Sequence, residues 1–170
     1  MKEIELTQGK RAIVDDADYQ YLSNFNWFYS DGYASRGIRM NGKRKSILMH
    51  RVIMGLESGD LRCVDHINHN TLDNRRENLR ICTKAENQWN SKKQKDNTSG
   101  FKGVCKKVDK RTRKNGNIRI YTYWMAYIKI DGKQKFLGRF PFTDKGKELA
   151  KECYNAAAKE YFGEFACLNE

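Results

Sequence analysis

From Asn90 to Ser99 the chain reads NSKKQKDNTS, ten residues without one apolar side chain. Such a run has nothing to bury and suits an exposed linker. It divides the 170 residues into stretches 1–95 and 96–170, each near the lower limit for burying its own core. Two small modules are expected. Both are basic: the first carries 17 Lys and Arg against 12 Asp and Glu, the second 16 against 9. In the second the charge is concentrated, with 12 basic and 2 acidic groups between residues 101 and 140. A formal charge of +12 draws polyanions before any specific contact forms, so nucleic acid leads the partner classes. No stretch is apolar enough to span a bilayer and no export signal opens the chain, so no membrane partner is expected. Five scattered cysteines, none at C-x-x-C spacing, read as reduced thiols of a cytoplasmic protein. No structural zinc is expected, since the three histidines lie far in sequence from most of these cysteines.

The first module reads as short strands. Ala12–Val14 precedes an acidic patch, Trp27–Tyr29 and Tyr33–Ala34 flank a turn at Asp31-Gly32, and Asn41-Gly42 signals a second hairpin. Ile47–Met54 is a buried strand or a buried helix, which periodicity leaves open, ending at Gly55 or Gly59. In the second module Gly103-Val104, Ile118–Ile130 and Lys135–Phe140 predict three strands, with the tight turn Asp131-Gly132 before the last. From Asp144 to Phe162 apolar residues recur at three- and four-residue steps up to Gly163, which predicts one amphipathic helix. Packed on the sheet, it leaves a basic face open.

The densest chemical signal is Val64-Asp65-His66, an Asn-rich loop, Asn78-Leu79-Arg80, then Thr83-x-x-Glu86-Asn87. Thr83 and Glu86 form a capping box that starts a helix. Asn68, Asn70, Asp73 and Asn74 read as turn residues, although an Asx cluster also resembles a metal loop.

This constellation resembles the HNH endonucleases, particularly those of phages and mobile introns. The resemblance implies an α+β fold with a ββα-metal core at about 62–95, preceded by short strands. It makes Asp65 and Asn87 ligands of one divalent cation, Mg²⁺ or else Mn²⁺, with His66 the general base and Asn78 holding its ring. The last H of the motif is Asn here, and a neutral oxygen ligand favours Mg²⁺ over zinc. His50, Arg51 and His69 are possible accessories: His50 suits the cleft or a satisfied core position, and His69 a phosphate contact or an exposed loop.

Ser99–Val104, Trp124–Ile128, Phe136–Phe140, Ala156–Gly163 and Leu168-Asn169 resemble the Apetala and ethylene-response-factor DNA-binding domain. That likeness implies a three-stranded antiparallel sheet packed on one helix and laid in the major groove of double-stranded DNA. Lys102, Lys106, Trp124, Lys129, Lys135 and Arg139 are its candidate contacts, while Lys110–Arg119 is longer than the family's first turn. Read singly, each lysine also fits an ordinary solvated face, and a lone Trp is more often core. Lysines outnumber arginines among these candidates, which favours phosphate contact over base reading.

The expected protein is a metal-dependent DNA endonuclease, homing-type or related, in a bacterial or phage-infected cell. A DNA-binding regulator with a degenerate nuclease fold and a restriction enzyme are the alternatives. One site per chain should nick one strand. The sequence leaves monomer and dimer open.

Overall fold

The computed structural model describes residues 1–40 and 42–170, which fall into two compact units, 1–88 and 89–170. In the first, β1 (Lys2–Glu5) pairs antiparallel with β2 (Arg11–Val14), and α1 (Asp16–Leu22) follows. The acidic patch after β2 is thus a helix, with Asp16 and Asp18 in its first turn, where the helix dipole favours negative charge. β3 (Phe28–Ser30), β4 (Tyr33–Met40) and β5 (Lys43–Leu48) form a meander. Its first turn holds Asp31 at φ 50° and Gly32 at φ 90°, the left-handed pair that a two-residue hairpin requires. Of the second turn signal, Asn41 lies outside the described residues. The apolar run 47–54 that periodicity left open divides: β5 ends at Leu48 and α2 spans Met49–Ile53.

β6 (Cys63–His66) and β7 (Leu79–Cys82) then form an antiparallel hairpin with Asp65 opposite Arg80, and α3 (Lys84–Trp89) follows at once. The capping box starts α3 as expected, with Thr83 N donating to Glu86 Oε2 at 2.7 Å and Glu86 N to Thr83 Oγ1 at 3.2 Å. Ala12, Val14, Leu22, Trp27, Ala34, Met49, Ile53, Val64 and Leu79 belong to one core, so β2, α1, β4, α2 and the β6–β7 hairpin share it.

In the second unit β8 (Val104–Thr112), β9 (Ile118–Ile130) and β10 (Lys133–Pro141) form an antiparallel sheet in the order β10-β9-β8, with α4 (Asp144–Phe162) packed on it. Thr143 caps α4 through the amide of Gly146. A side chain at Gly146 would stand 2.0 Å from the Pro141 carbonyl oxygen, which is why glycine occupies the join between β10 and α4. Ala126 and Ile128 on β9 meet Ala150, Tyr154, Ala157 and Ala158 of α4. Even-numbered residues of β9 therefore face the helix and odd-numbered ones face away.

The unit boundary falls at 88/89, and Trp89 stacks on Phe162 with ring centroids 4.6 Å apart. The polar groups after it are bonded within the second unit: Asn97 Nδ2 donates to Phe101 O, Gly100 N donates to Asn97 Oδ1, and Ser99 is buried. Residues 91–96 and Thr98 are exposed, as a run without apolar side chains implies, while Asn97 and Ser99 satisfy backbone groups.

Candidate active site

Asp65 and His66 end β6 with 5% and 6% of their surface exposed, on the hairpin that leads into α3. Arg80, opposite on β7, donates from Nε and one terminal nitrogen to Asp65 Oδ2 at 2.9 and 2.7 Å. The His66 ring lies in a pocket of rings, its centroid 5.0 Å from His50 and 6.1 Å from Tyr33. Its Nε2 faces Asn74 Oδ1 at 3.4 Å. Burial holds His66 below the ordinary imidazole value, with the Asn74 contact and the carboxylates of Asp65 and Asp73 opposing. At neutral pH the ring is uncharged and able to accept a proton.

His50 is buried at 5% exposure, and desolvation, with the nearby His66 and Arg51 charges, pushes it down to about 3. Of the two places its sequence suits, it takes both: α2 carries it into the core, and there it lines the His66 pocket. Arg51 points elsewhere. Its guanidinium donates to the carbonyls of Arg62, Asp60 and Glu57 at 2.8, 3.0 and 3.1 Å, so it ties the loop before β6.

The loop between β6 and β7 is held by its Asx residues. Asn78, 5% exposed, accepts from Asn68 N at 2.9 Å and donates to Asp73 O at 2.7 Å. This differs from the expected bond to the His66 ring: Asn78 closes the loop on itself, and Asn74 faces the ring. Asn68 and Asn70 each accept a backbone amide two residues on, the Asx-turn pattern. Asp73 lies in a two-bond ion pair with Arg75, at 2.8 Å for each bond. His69 adopts φ 62° and is partly exposed.

The N-terminal elements hold this loop from outside. Ile13 N donates to Leu72 O and Asn74 N to Ile13 O, both at 2.8 Å, so the loop joins the edge of β2. Arg76 is clamped by both carboxylate oxygens of Asp18 at 2.8 Å, and Thr71 donates to Gly32 O. Asn74, Arg80 and Tyr33 are the site residues sequence reasoning missed. Arg80 has a signal in its N-L-R segment, whereas Asn74 reads as a turn or metal-loop residue with nothing to tie it to the ring.

Asn87 is exposed on α3, its amide bonded to Thr83 O. Asp65 and Asn87 offer hard oxygens, the donor type of Mg²⁺ and Mn²⁺. No group of three or more His, Cys, Asp or Glu converges as a metal site among the described residues. The five cysteines are free thiols, and burial pushes Cys82 up to about 11.

The expected contacts on the second unit separate. Lys129 and Arg139 lie on the sheet face away from α4, Arg139 opposite Met125 and 4.8 Å over the Tyr123 ring. Trp124 faces the helix side, packed against Phe142 with its Nε1 donating to Thr143 O at 3.2 Å. Lys106 shares that side over Phe142, and Lys135 sits on Tyr161. Lys102 donates to the carbonyls of Trp89 and Ser91 at 2.7 and 2.6 Å, and burial lowers its pKa. Strand parity thus puts Trp124 on the helix side, and the Lys102 ammonium is engaged by carbonyls of the chain.

A buried histidine thus stands beside an aspartate on a two-strand hairpin that runs into a capped helix. Residues 48–89 match the model of the HNH endonuclease family, so this stretch carries an HNH endonuclease domain. The match begins upstream of the D-H pair and takes in α2 with His50. Across 168 residues the chain is 28% identical to an uncharacterized HNH endonuclease of Acanthamoeba polyphaga mimivirus, covering 96% of this chain and 76% of that one. Over 71 residues it is 34% identical to Protein 3.8 of Escherichia phage T7, covering 42% of this chain and half of that protein. No solved structure matches. No helix among the described residues is long and apolar enough to cross a membrane.

Proposed function

We propose that the chain is a metal-dependent endonuclease that hydrolyses phosphodiester bonds of double-stranded DNA, of the homing type or a near relative. The observation that carries this reading is His66: buried, uncharged at neutral pH, next to Asp65, and facing Asn74 through Nε2. With Nε2–H donated to Asn74 Oδ1, the proton-accepting nitrogen is Nδ1, and His66 takes the proton of the attacking water there. Asn78 acts at one remove by fixing the loop that carries Asn74. His50 and Tyr33 exclude water from the other side of the ring and keep it neutral.

Asp65 and Asn87 would hold the divalent cation, with Arg80 the counter-charge beside Asp65. Bound there, Mg²⁺ or Mn²⁺ supplies positive charge for the phosphorane and the departing oxygen. The second unit docks on the duplex as the Apetala-type likeness suggests, with Lys129 and Arg139 on the open face meeting phosphates.

The test is purified protein on supercoiled plasmid with Mg²⁺, with Mn²⁺ and with EDTA. Nicked circles should form with either cation and none with EDTA. Equal nicking in EDTA would refute metal dependence, and intact plasmid under all three would refute the nuclease reading.

A further inference from the structure

β8 and β9 run on beyond the rest of their sheet. The pairing of β10 with β9 stops at Pro141↔Tyr123, whereas β8 follows β9 through five more pairs, from Val108↔Thr122 to Thr112↔Ile118. At about 3.4 Å per residue the two-stranded ribbon projects roughly 17 Å. Its tip is ordered by Arg113 N donating to Asn117 O at 2.8 Å and Gly116 N to Arg113 O at 2.9 Å.

Pleating gives this ribbon two unlike faces. Val108, Ile118 and Ile120 share one, exposed at 49%, 66% and 60%, and none belongs to either apolar cluster of the unit. On the other, the Arg111 and Arg119 guanidinium groups lie 5.5 and 4.9 Å from the Tyr121 ring. From Lys107 to Arg119 there are six cationic side chains and one acid, Asp109. That acid is already engaged by Arg139 at 3.4 Å and the Tyr123 hydroxyl at 3.2 Å.

Exposed β-branched side chains on a projecting ribbon mark a contact surface, and the surrounding charge selects a polyanion. A two-stranded ribbon fits the roughly 12 Å major groove of B-form DNA, while the A-form major groove of RNA is too narrow. We propose that the β8–β9 ribbon is an arm that inserts into a groove of duplex DNA. Arg111 and Arg119 meet flanking phosphates, and Ile118 and Ile120 meet base edges, where thymine methyl groups are the apolar partner. The proposal rests on the nuclease reading only for its choice of DNA as ligand.

The test measures binding of the full chain to a labelled DNA duplex in EDTA across a salt series, with nicking of saturated plasmid in Mg²⁺ as a second readout. Arg111→Ala with Arg119→Ala should weaken binding about tenfold and lower the salt slope by about two, close to one unit per lost phosphate contact. Ile118→Ser with Ile120→Ser should weaken binding about tenfold and leave the slope unchanged, since no charge is removed. Both double variants should need about tenfold more protein than wild type to saturate the plasmid, matching their weaker binding. Wild-type affinity and slope in either pair would overturn the arm, as would tighter binding of an RNA duplex or an anionic vesicle. Ribbon-dependent binding without nicking in Mg²⁺ would remove the nuclease reading and leave the arm. Nicking with both variants binding normally would do the reverse.

Discussion

Replacing His50 by Gln should flatten the acid side of the stability profile of the first unit. The buried imidazole titrates at about 3 in the fold against an ordinary 6.5, so protonation favours the unfolded chain. Its stabilising contribution is complete above pH 6.5 and is lost as pH falls toward 3, at about 1.4 kcal/mol per pH unit. Between pH 7 and pH 5 the wild type should therefore lose about 2 kcal/mol through this one group. His50→Gln keeps a polar side chain in the pocket and removes the proton-binding step. Native-state hydrogen exchange on peptides from residues 1–88, over a urea series at both pH values, reads the difference directly. The wild type should lose about 2 kcal/mol more than the variant. Equal losses would show that His50 is solvated or already paired in the fold, and the water-excluded pocket around His66 would fall with it.

Asn74→Ala removes the contact that raises the His66 pKa; the acid limb of the nicking rate should move to lower pH and the rate should fall about tenfold, and an unmoved limb would contradict the orienting role. Asn78→Ala leaves Asn68 N and Asp73 O without their present partner, which should cost about 2 kcal/mol in urea unfolding. Lys102→Met should destabilise the second unit while leaving the salt slope of DNA binding unchanged, because its ammonium binds carbonyls of the chain; a lower slope would return it to the DNA surface.

The parts legible in the sequence were those set by neighbours along the chain. The D-H pair at a strand end, the Thr83–Glu86 box and the helix ending at Phe162 each follow from residues within a few positions of one another. What stayed hidden depends on partners far away. Asn74 looks like any turn residue until β2 takes hold of its backbone through Ile13. The helix α1 has a weak apolar signal, DADYQYL, and is fixed by burial of Leu22. Strand alternation places Trp124 and Met125 on opposite faces but does not tell which face the helix covers, and only the fold shows Trp124 on the helix side with its Nε1 donating to Thr143 O.

The central claim is that His66 is the base of a phosphodiesterase site, and one variant tests it most directly. His66→Ala should lower the rate of plasmid nicking in Mg²⁺ by about a hundredfold or more, with duplex affinity in EDTA within a few fold of wild type. Nicking at the wild-type rate by His66→Ala would contradict the account.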